Sequence, residues 1–366
     1  MKKILFILSA ALLALGTSVQ AQAQTLKWID ASTLNIIGQA EPTGKPYDRI
    51  NTQEHKMPEN TIAYCGFSTG LAVVFSTDSH VISARWTTSQ SMPGVNMSAI
   101  TQKGLDLYIR DGEEWVYAGV ARPTITAEKR DKHEYTIVNN GPDGKKECLL
   151  YLPIWDRVES LEIGVEEGSA IAAMENPFRH KIVVHGSSIT HGASSSRSGM
   201  TYPALMERRT GLYMINLGYS GMSTLQEEFA HYLAQVEDAD AFVFDTFSNP
   251  SAEVIAERFD KFVDIIREKH PTTPLIFTQT IRRDTRNYYN LKTEDFESRK
   301  QAMAEKKVRE RMQRDENIYF LDSEGWIGYD HLGTADGTHP TDLGFMRMVE
   351  HMEPQIVNIL KKYGIK

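Results

Sequence analysis

The second half of the chain alternates five short apolar runs with amphipathic stretches of helical length, a pattern that few architectures can accommodate. The predicted strands are 182–185, 212–217, 241–245, 275–278 and 318–321. The predicted helices are 201–209, 225–235, 252–269, 294–314 and 341–362. Strands separated by amphipathic helices form right-handed βαβ units around a parallel sheet that helices cover on both faces. The pattern therefore predicts an α/β fold built on a covered parallel sheet.

The first half of the chain has a period of two instead. Between Trp28 and about Val165, apolar and polar residues alternate in short runs that turn residues separate. The predicted strands are 61–65, 71–76, 80–87, 105–109, 115–120, 134–138, 147–152 and 158–165. Short strands without a long helix are typical of a β-sandwich or a jelly roll. The change of pattern places a domain boundary near residues 168–180.

The first residues have the pattern of a secretory signal peptide. Lys2 and Lys3 precede the apolar run 4–15, and Ala21-Gln22-Ala23 supplies an A-x-A cleavage site. The apolar run is too short to span a bilayer, and no later segment is apolar enough to anchor the protein. We therefore expect cleavage after Ala23, with Ala21 as the alternative, and a soluble periplasmic or secreted product. The expected divisions are a signal peptide at 1–23, a β-sandwich domain at 24–175 and an α/β domain at 176–366.

The net charge indicates which classes of partner are disfavoured, and the two cysteines raise the question of a disulfide. Loss of the two signal-peptide lysines changes the formal net charge from −8 to about −10. A surface this acidic disfavours nucleic acids and anionic membranes as partners. Cys65 and Cys148 each lie in a β-like run. An oxidising compartment permits a disulfide between them, and two buried free thiols are equally compatible with the pattern.

A serine follows the first strand of the α/β half. The segment Lys181–Gly192 has the pattern of a buried parallel strand that ends in Gly186, Ser187 and Ser188. In open α/β sheets, ligands bind just beyond the carboxyl ends of the strands. Ser188 is therefore the candidate nucleophile, although a serine-rich turn that only caps a helix would have the same pattern.

The candidate base and acid precede the last helix. Serine hydrolysis needs a base, a carboxylate that orients the base, and hydrogen-bond donors for the oxyanion. His339 follows Asp336 by three residues with a glycine between them, so the carboxylate can turn back onto the ring. The loops after the second and third strands offer the Gly221 N–H and the Asn249 amide as oxyanion donors beside the Ser188 N–H. Taken singly, these residues also fit a surface turn, a turn glycine and a helix cap.

Four motifs in this order resemble the SGNH (GDSL-like) hydrolase superfamily. They are G-S-S-I at 186–189, N-x-G-x-S-G at 216–221, Asn249 after the third strand, and D-G-x-H at 336–339. The resemblance covers about residues 178–366. It implies a flavodoxin-like three-layer α/β/α sandwich that hydrolyses esters through an acyl-enzyme. We expect neither a cofactor nor a metal. The positions that match the family's catalytic triad are Ser188, Asp336 and His339, and those that match its oxyanion hole are Ser188, Gly221 and Asn249.

The sequence departs from the family pattern at two places. Ser187 stands where an aspartate usually precedes the nucleophile, and the usual G-x-N-D block reads F-S-N-P at 247–250. We expect activity in spite of both changes, because the first affects local packing and the second keeps the asparagine. The N-terminal half, with G-L-D-L-Y at 104–108 and Y-L-P at 151–153, is similar to the β-sandwich of two-domain carbohydrate acetylesterases of this superfamily.

Substrate preference is expected to come from loops. The segment 281–290 combines three arginines with two tyrosines, and further candidates lie near the nucleophile and shortly before the acid. Aromatic faces suit stacking on pyranose rings, and arginine suits a sugar carboxylate. The candidate substrate-binding residues are His191, Arg197, Arg286, Tyr289 and Trp326. For each of them an ordinary structural role is at least as compatible with the pattern.

Two competing patterns are set aside. Residues 66–70 spell G-x-S-x-G, but a nucleophile elbow requires a helix after the serine, and the run that follows predicts a strand. Asp330, His331, Asp336 and His339 could be read as metal ligands, but they lack the spacing of the common metal motifs.

The sequence therefore predicts a secreted serine esterase that removes acetyl groups from carbohydrates. A lipid or thioester acylhydrolase is the alternative among enzymes, and the absence of a long apolar lid disfavours it. A glycan-binding protein with a degenerate hydrolase domain is the alternative from another class, and the intact triad disfavours it. The expected partner is a small-molecule or glycan ester, with no stable membrane anchoring.

Overall fold

The structure, a computed structural model, describes residues 25–365. The predicted signal peptide lies outside these residues. From residue 25 onward, the N-terminal half contains ten strands and two short α-helices. The strands are β1 (Leu26–Asp30), β2 (Asn35–Ile37), β3 (Ala72–Thr77), β4 (Ile82–Thr88), β5 (Leu105–Asp111), β6 (Glu114–Ala121), β7 (Lys132–Val138), β8 (Lys146–Tyr151), β9 (Val158–Glu166) and β10 (Ile171–Ala173). The helices are α1 (Ile62–Cys65) and α2 (Ala99–Lys103).

These strands form two antiparallel sheets. One sheet has the order β1-β9-β4-β7, and the other has the order β10-β3-β8-β5-β6 with β2 also paired to β3. Apolar side chains from both sheets, such as Phe75, Trp86, Leu107 and Ile163, pack into one buried cluster. Burial alternates over residues 84–88 of β4, as the two-residue period of the sequence requires. The predicted β-sandwich is confirmed.

One predicted strand is wrong. Residues 61–65 form the end of a 3-10 turn (Glu59–Thr61) and the short helix α1 instead. Pro58 precedes this turn, and proline fits the beginning of a helical segment better than the interior of a sheet. Periodicity alone cannot distinguish a strand from a helix over so short an apolar run. Cys65, at the end of α1, and Cys148, in β8, are both free and buried, so they form no disulfide.

The C-terminal half alternates strands and helices along the chain. Its strands are β11 (Arg179–Gly186), β12 (Leu212–Gly218), β13 (Ala241–Asp245), β14 (Leu275–Thr278) and β15 (Ile318–Leu321). Its helices are α3 (Ser188–His191), α4 (Tyr202–Thr210), α5 (Glu227–Ala234), α6 (Ala252–Lys269), α7 (Leu291–Met312) and α8 (Asp342–Lys361). All five strands and five longer helices lie where the sequence predicts them.

The five strands form one parallel sheet in the order β12-β11-β13-β14-β15. Successive residues of β11 face opposite layers: Val183 packs with α5, α6 and α7, whereas Ile182 and Val184 pack with α4 and α8. This is the flavodoxin-like three-layer sandwich that the sequence predicts. β11 lies between β12 and β13, so its carboxyl end is the point where the strand order reverses, the usual ligand position in such sheets.

A buried arginine joins the two halves beneath this point. The Arg49 guanidinium is fully buried and donates hydrogen bonds to the carbonyl oxygens of Asn216 (3.2 Å), Gly218 (3.0 Å) and Tyr64 (2.6 Å). The N-terminal half therefore holds the end of β12 directly. Across residues 25–365, no helix is both long enough and apolar enough to cross a membrane.

Candidate active site

Ser188 lies at the first position of α3, directly after β11. Ser187 caps the helix, since its hydroxyl accepts a hydrogen bond from the Ile189 N–H at 3.2 Å. Gly186 permits the close approach of the strand end to β13, because a Cβ at this position would lie 2.7 Å from the carbonyl oxygen of Asp245. As the first helical residue, Ser188 has an N–H without a partner inside the helix. Ser188 is 6% exposed at the carboxyl end of the sheet.

The structure brings Ser188, His339 and Asp336 together in a chain of hydrogen bonds. The Ser188 Oγ lies 2.8 Å from His339 Nε2, and His339 Nδ1 lies 2.7 Å from Asp336 Oδ2. The other carboxylate oxygen accepts the backbone N–H groups of His339 (2.9 Å) and Thr338 (3.0 Å). With Nδ1–H donating to the carboxylate, Nε2 is the acceptor that faces the serine hydroxyl.

The Asp336 carboxylate is held in its ionised form. Partial burial opposes ionisation, but hydrogen bonds from the His339 backbone and side chain and from Asn96 outweigh it and lower the pKa of Asp336 to about 2. The carboxylate is therefore charged at any pH at which the protein is expected to work. A charged partner on Nδ1 stabilises the imidazolium that forms when His339 accepts a proton.

A second carboxyl group, that of Asp245, lies behind the nucleophile turn. Its Oδ2 accepts hydrogen bonds from Thr190 Oγ1 (2.9 Å) and Ser187 Oγ (3.5 Å), and its carbonyl oxygen accepts the Ser187 N–H (3.1 Å). Burial raises the pKa of Asp245 to about 7, against these hydrogen bonds, which favour the ionised form. Ser187, where the family has an aspartate, is thus one of the groups that tie the turn to β13.

The two predicted oxyanion residues lie in the loops on either side of the nucleophile turn. Gly221 is exposed in the loop after β12 and has a φ of +71°. Asn249 lies in the loop after β13, and its Oδ1 accepts the Ser223 N–H at 3.3 Å, which joins the two loops. Since the oxygen of the amide is occupied in this way, its NH₂ group is the end that remains for a ligand.

The structure places three predicted substrate-binding residues in the interior, where their side chains have other partners. His191 is fully buried, and its Nε2 bonds to the Ile154 carbonyl oxygen (2.7 Å) and the Thr69 hydroxyl (3.0 Å) at the junction of the two halves. Trp326 is 2% exposed and packs in the apolar layer beside α8. Arg286 is 6% exposed and binds the side chain of Glu294 at the start of α7.

The remaining two predicted substrate-binding residues are placed differently from each other. The Arg197 Nε lies 3.2 Å from Asp106 Oδ2, and its guanidinium stacks 4.4 Å from the centre of the Tyr117 ring, so it ties the loop after α3 to the β-sandwich. This partner set does not support a substrate contact. Tyr289 is exposed and pairs with the adjacent exposed Tyr288, with the ring centres 3.9 Å apart. Tyr289 stays a candidate.

Several contacts of the triad turn were not predicted. Asn96, from the β-sandwich half, donates to Asp336 Oδ2 at 3.2 Å. Thr285 N–H donates to the Gly337 carbonyl oxygen at 3.1 Å, which joins the loop after β14 to the triad turn. Asp284 in the same loop accepts the Thr334 hydroxyl at 2.6 Å. These partners are far apart in sequence, and no local pattern marks them.

The two competing patterns have other roles. Ser68 of the G-x-S-x-G segment is fully buried, donates to the Tyr47 carbonyl oxygen at 2.9 Å, and precedes the strand β3. Asp330 forms an ion pair with Arg347 at 2.8 Å, and His331 pairs with Asp284 at 3.1 Å. In the part of the chain that the structure describes, no group of three or more His, Cys, Asp or Glu side chains is arranged to hold a metal ion.

Comparisons with known proteins match both halves of the chain. Residues 179–357 match the GDSL-like lipase/acylhydrolase family. Residues 26–171 match the family named GxDLY, described as the N-terminus of SGNH-hydrolase-type esterases, and residues 104–108 spell this motif. A search of curated proteins found no match.

Solved structures share the fold of the whole chain. A protein described as a GDSL-like lipase from Bacteroides ovatus is 42% identical, with 92% of this chain and 98% of that chain covered and a TM-score of 0.88. The salicylyl-acyltransferase SsfX3 from a tetracycline biosynthetic pathway is 20% identical (92% and 98% covered, TM-score 0.71). A family two carbohydrate esterase from Cellvibrio japonicus is 14% identical (92% and 99% covered, TM-score 0.59).

Proposed function

The chain belongs to the GDSL-like lipase/acylhydrolase family, and we propose that it removes acetyl groups from carbohydrates through an acyl-enzyme on Ser188. The observation that carries the proposal is the hydrogen-bonded chain from Ser188 Oγ to His339 Nε2 (2.8 Å) and from His339 Nδ1 to Asp336 Oδ2 (2.7 Å). This arrangement has the geometry that serine ester hydrolysis requires.

In the first step, the Ser188 oxygen attacks the ester carbonyl carbon while His339 Nε2 takes the hydroxyl proton. The negative charge that develops on the carbonyl oxygen would be met by the N–H groups of Ser188 and Gly221 and the side-chain amide of Asn249. The bond between the carbonyl carbon and the sugar oxygen then breaks as His339 donates its proton to that oxygen, so the sugar leaves with a free hydroxyl and the acetyl group stays on Ser188.

In the second step, a water molecule takes the place of the sugar hydroxyl. His339 accepts a proton from the water as it attacks the acetyl-enzyme, and the same donors stabilise the second tetrahedral intermediate. The proton returns to Ser188 Oγ, and acetate leaves. Asp336 stays ionised throughout and stabilises the imidazolium in both steps.

Exposed tyrosines near the triad turn support a carbohydrate as the alcohol part of the ester. Tyr288 and Tyr289 are exposed in the loop that donates the Thr285 N–H to Gly337. Tyr329 is exposed in the segment that leads to Asp336. Aromatic faces of this kind suit pyranose rings, which have one apolar face. The shared fold with a family two carbohydrate esterase is consistent with this substrate class.

A second candidate substrate class is the ester of a longer, apolar acyl group. Met92 and Val95, in the loop that carries Asn96, and Leu332, close to Asp336, are exposed apolar side chains. The 42%-identical protein from Bacteroides ovatus is described as a GDSL-like lipase. This reaction would use the same triad, so the two candidates differ in substrate and not in mechanism.

We further propose that residues 1–23 are a signal peptide that directs the enzyme to the periplasm or the outside of the cell. The basic start, the apolar run 4–15 and the A-x-A site support this location. Mass measurement of the protein purified from a producing cell should give an N-terminus at Gln24. An intact Met1 in a cytoplasmic fraction would contradict the proposal.

The test of the function is a substrate panel with matched variants. Acetate release is measured from acetylated plant and host oligosaccharides, from p-nitrophenyl acetate and from a long-chain p-nitrophenyl ester, with Ser188→Ala beside the natural protein. We expect one acetylated glycan to be cleaved much faster than the chromogenic esters and Ser188→Ala to abolish every reaction. Preference for the long chain would favour the second candidate. Glycan binding without turnover of any ester would contradict both.

A further inference from the structure

We infer that Asn96 is a positioning residue of the triad, supplied by the β-sandwich half of the chain. The inference rests on the proposed roles of Ser188, His339 and Asp336. According to this inference, the N-terminal half orients the catalytic carboxylate of the C-terminal half. The side chain of Asn96 makes this contact.

The hydrogen bonds of the Asp336 carboxylate carry the first step of the argument. Oδ1 accepts two backbone N–H groups, from Thr338 and His339, and Oδ2 accepts the His339 ring. These three donors belong to the same turn as the acid itself. Within residues 25–365, Asn96 Nδ2 (3.2 Å) is the one side-chain donor to this carboxylate from outside the turn. It therefore restrains the carboxylate relative to the rest of the molecule.

The backbone of the same residue is fixed to the nucleophile loop. The Asn96 carbonyl oxygen accepts the Ser194 hydroxyl at 2.9 Å, and Ser194 follows the nucleophile helix α3. Two neighbouring contacts fasten the same segments: the Ser98 hydroxyl donates to the Ser196 carbonyl oxygen (3.3 Å), and the buried Thr101 hydroxyl donates to that of Ser195 (2.6 Å). Asn96 thus lies between the loop of the nucleophile and the turn of the acid, with one hydrogen bond to each.

This placement matters most when His339 is protonated. The imidazolium needs the carboxylate at hydrogen-bond distance from Nδ1 while Nε2 stays directed at Ser188. A donor on Oδ2 from outside the turn holds the carboxylate in one orientation and so reduces the reorganisation needed in the transition state. Because the ester substrate touches neither Asn96 nor Asp336 in the proposed mechanism, the effect should fall on kcat and leave KM nearly unchanged.

The test substitutes Asn96→Leu, which keeps the branching of the side chain and removes the donor. We expect kcat for p-nitrophenyl acetate to fall about five- to tenfold, the size of effect expected for the net loss of one ordinary hydrogen bond. KM should change less than about twofold. Gln90→Ala is the matched control, since Gln90 is exposed in the same loop and has no assigned part in the site, and its kcat should equal that of the natural protein.

A double-mutant cycle separates positioning from a general effect on folding. If Asn96 acts through the carboxylate, Asn96→Leu should cause no further loss of kcat in an Asp336→Ala background. An equal loss in both backgrounds would overturn the inference, as would an unchanged kcat in the single variant. Thermal melts of all four proteins show whether each one is folded.

Ser188→Ala is assayed beside the four proteins of the cycle, so that the two proposals can fail separately. Retained activity in Ser188→Ala would contradict the proposed function itself. Lost activity in Ser188→Ala together with a neutral Asn96→Leu would contradict the positioning role alone.

Discussion

A buried ion pair fixes the loop that carries Asn96, and its disruption gives a quantitative prediction. Lys103 is fully buried at the end of α2 and forms an ion pair with Asp156, whose side chain is 2% exposed. The Lys103 ammonium also donates to the Ser89 carbonyl oxygen (2.6 Å) and the Thr88 hydroxyl (3.1 Å). Asp156 in turn accepts the Ser91 hydroxyl at 3.0 Å. Both charges therefore hold the first residues of the loop 89–98.

Lys103→Met removes the positive charge at similar side-chain volume and leaves the Asp156 carboxylate buried without a counter-charge. Breaking a buried pair in this way costs about 3–5 kcal/mol. Asp156 keeps hydrogen bonds from the backbone N–H groups of Ser89 (3.3 Å) and Arg157 (2.8 Å), so we expect a loss near the lower limit. A loss of about 3 kcal/mol corresponds to a melting temperature lower by roughly 4 °C, because unfolding a chain of this length has an entropy of about 0.7 kcal/mol/K.

The assay is urea unfolding followed by circular dichroism at pH 7, with two further variants. In Lys103→Met/Asp156→Leu both charges are absent, so the double variant should be more stable than Lys103→Met alone. Lys261→Met breaks the exposed ion pair with Glu227 and should change the unfolding free energy by less than about 1 kcal/mol. If the double variant is no more stable than the single one, the unpaired charge is not the cause of the loss, and the reasoning is refuted.

Three other predictions concern the site. Burial raises the pKa of Asp245 to about 7, so the folded state binds more protons than the unfolded state between about pH 4 and pH 7. The unfolding free energy of the natural protein should therefore decrease as the pH rises through this window. Urea unfolding of Asp245→Asn should show a smaller decrease, and an identical pH dependence in both proteins would contradict the raised pKa of Asp245. Asn249→Ala should lower kcat roughly 100- to 1000-fold in steady-state assays, because one oxyanion donor is lost, and a loss confined to KM would assign Asn249 to binding instead. Arg286→Ala should lower the melting temperature, since the guanidinium of Arg286 binds the side chains of Glu294 and Gln301. Tyr289→Ala should lower kcat/KM on the glycan without a change in melting temperature, because Tyr289 is exposed. An unchanged kcat/KM in Tyr289→Ala would exclude Tyr289 as a glycan contact.

The architecture and the triad could be predicted from the sequence because both depend on local patterns. Each parallel strand is buried on both faces and therefore appears as a continuous apolar run, as in Ala241–Asp245. The functional residues follow such runs or precede the last helix, so the topology of a parallel sheet alone brings Ser188 and His339 to one edge.

The buried polar residues could not be predicted in the same way. His191 lies three residues after Ser188, and its sequence position is compatible with a ligand contact or with the interior. Its burial depends on Ile154 and Thr69, which lie in the other half of the chain. Arg286 likewise occurs in a loop of arginines and tyrosines, and only the position of Glu294 in the fold determines that it faces α7.

The contact between Asn96 and Asp336 joins residues 240 positions apart. Its geometry depends on how the β-sandwich packs against the loop 194–196, and neither periodicity nor a motif contains that information. Prediction from one sequence therefore identifies groups that are catalytic by virtue of their own chemistry. It misses groups that act only through the packing of two units.

The most direct test of the account is labelling with a fluorophosphonate, which reacts with an activated serine hydroxyl. Digestion and mass spectrometry should place one adduct on the peptide that contains Ser188, and His339→Ala should suppress the labelling because the base that activates the hydroxyl is lost. An adduct on Ser68, the serine of the G-x-S-x-G segment, or an unlabelled protein that still hydrolyses esters would contradict the assignment of Ser188 as the nucleophile.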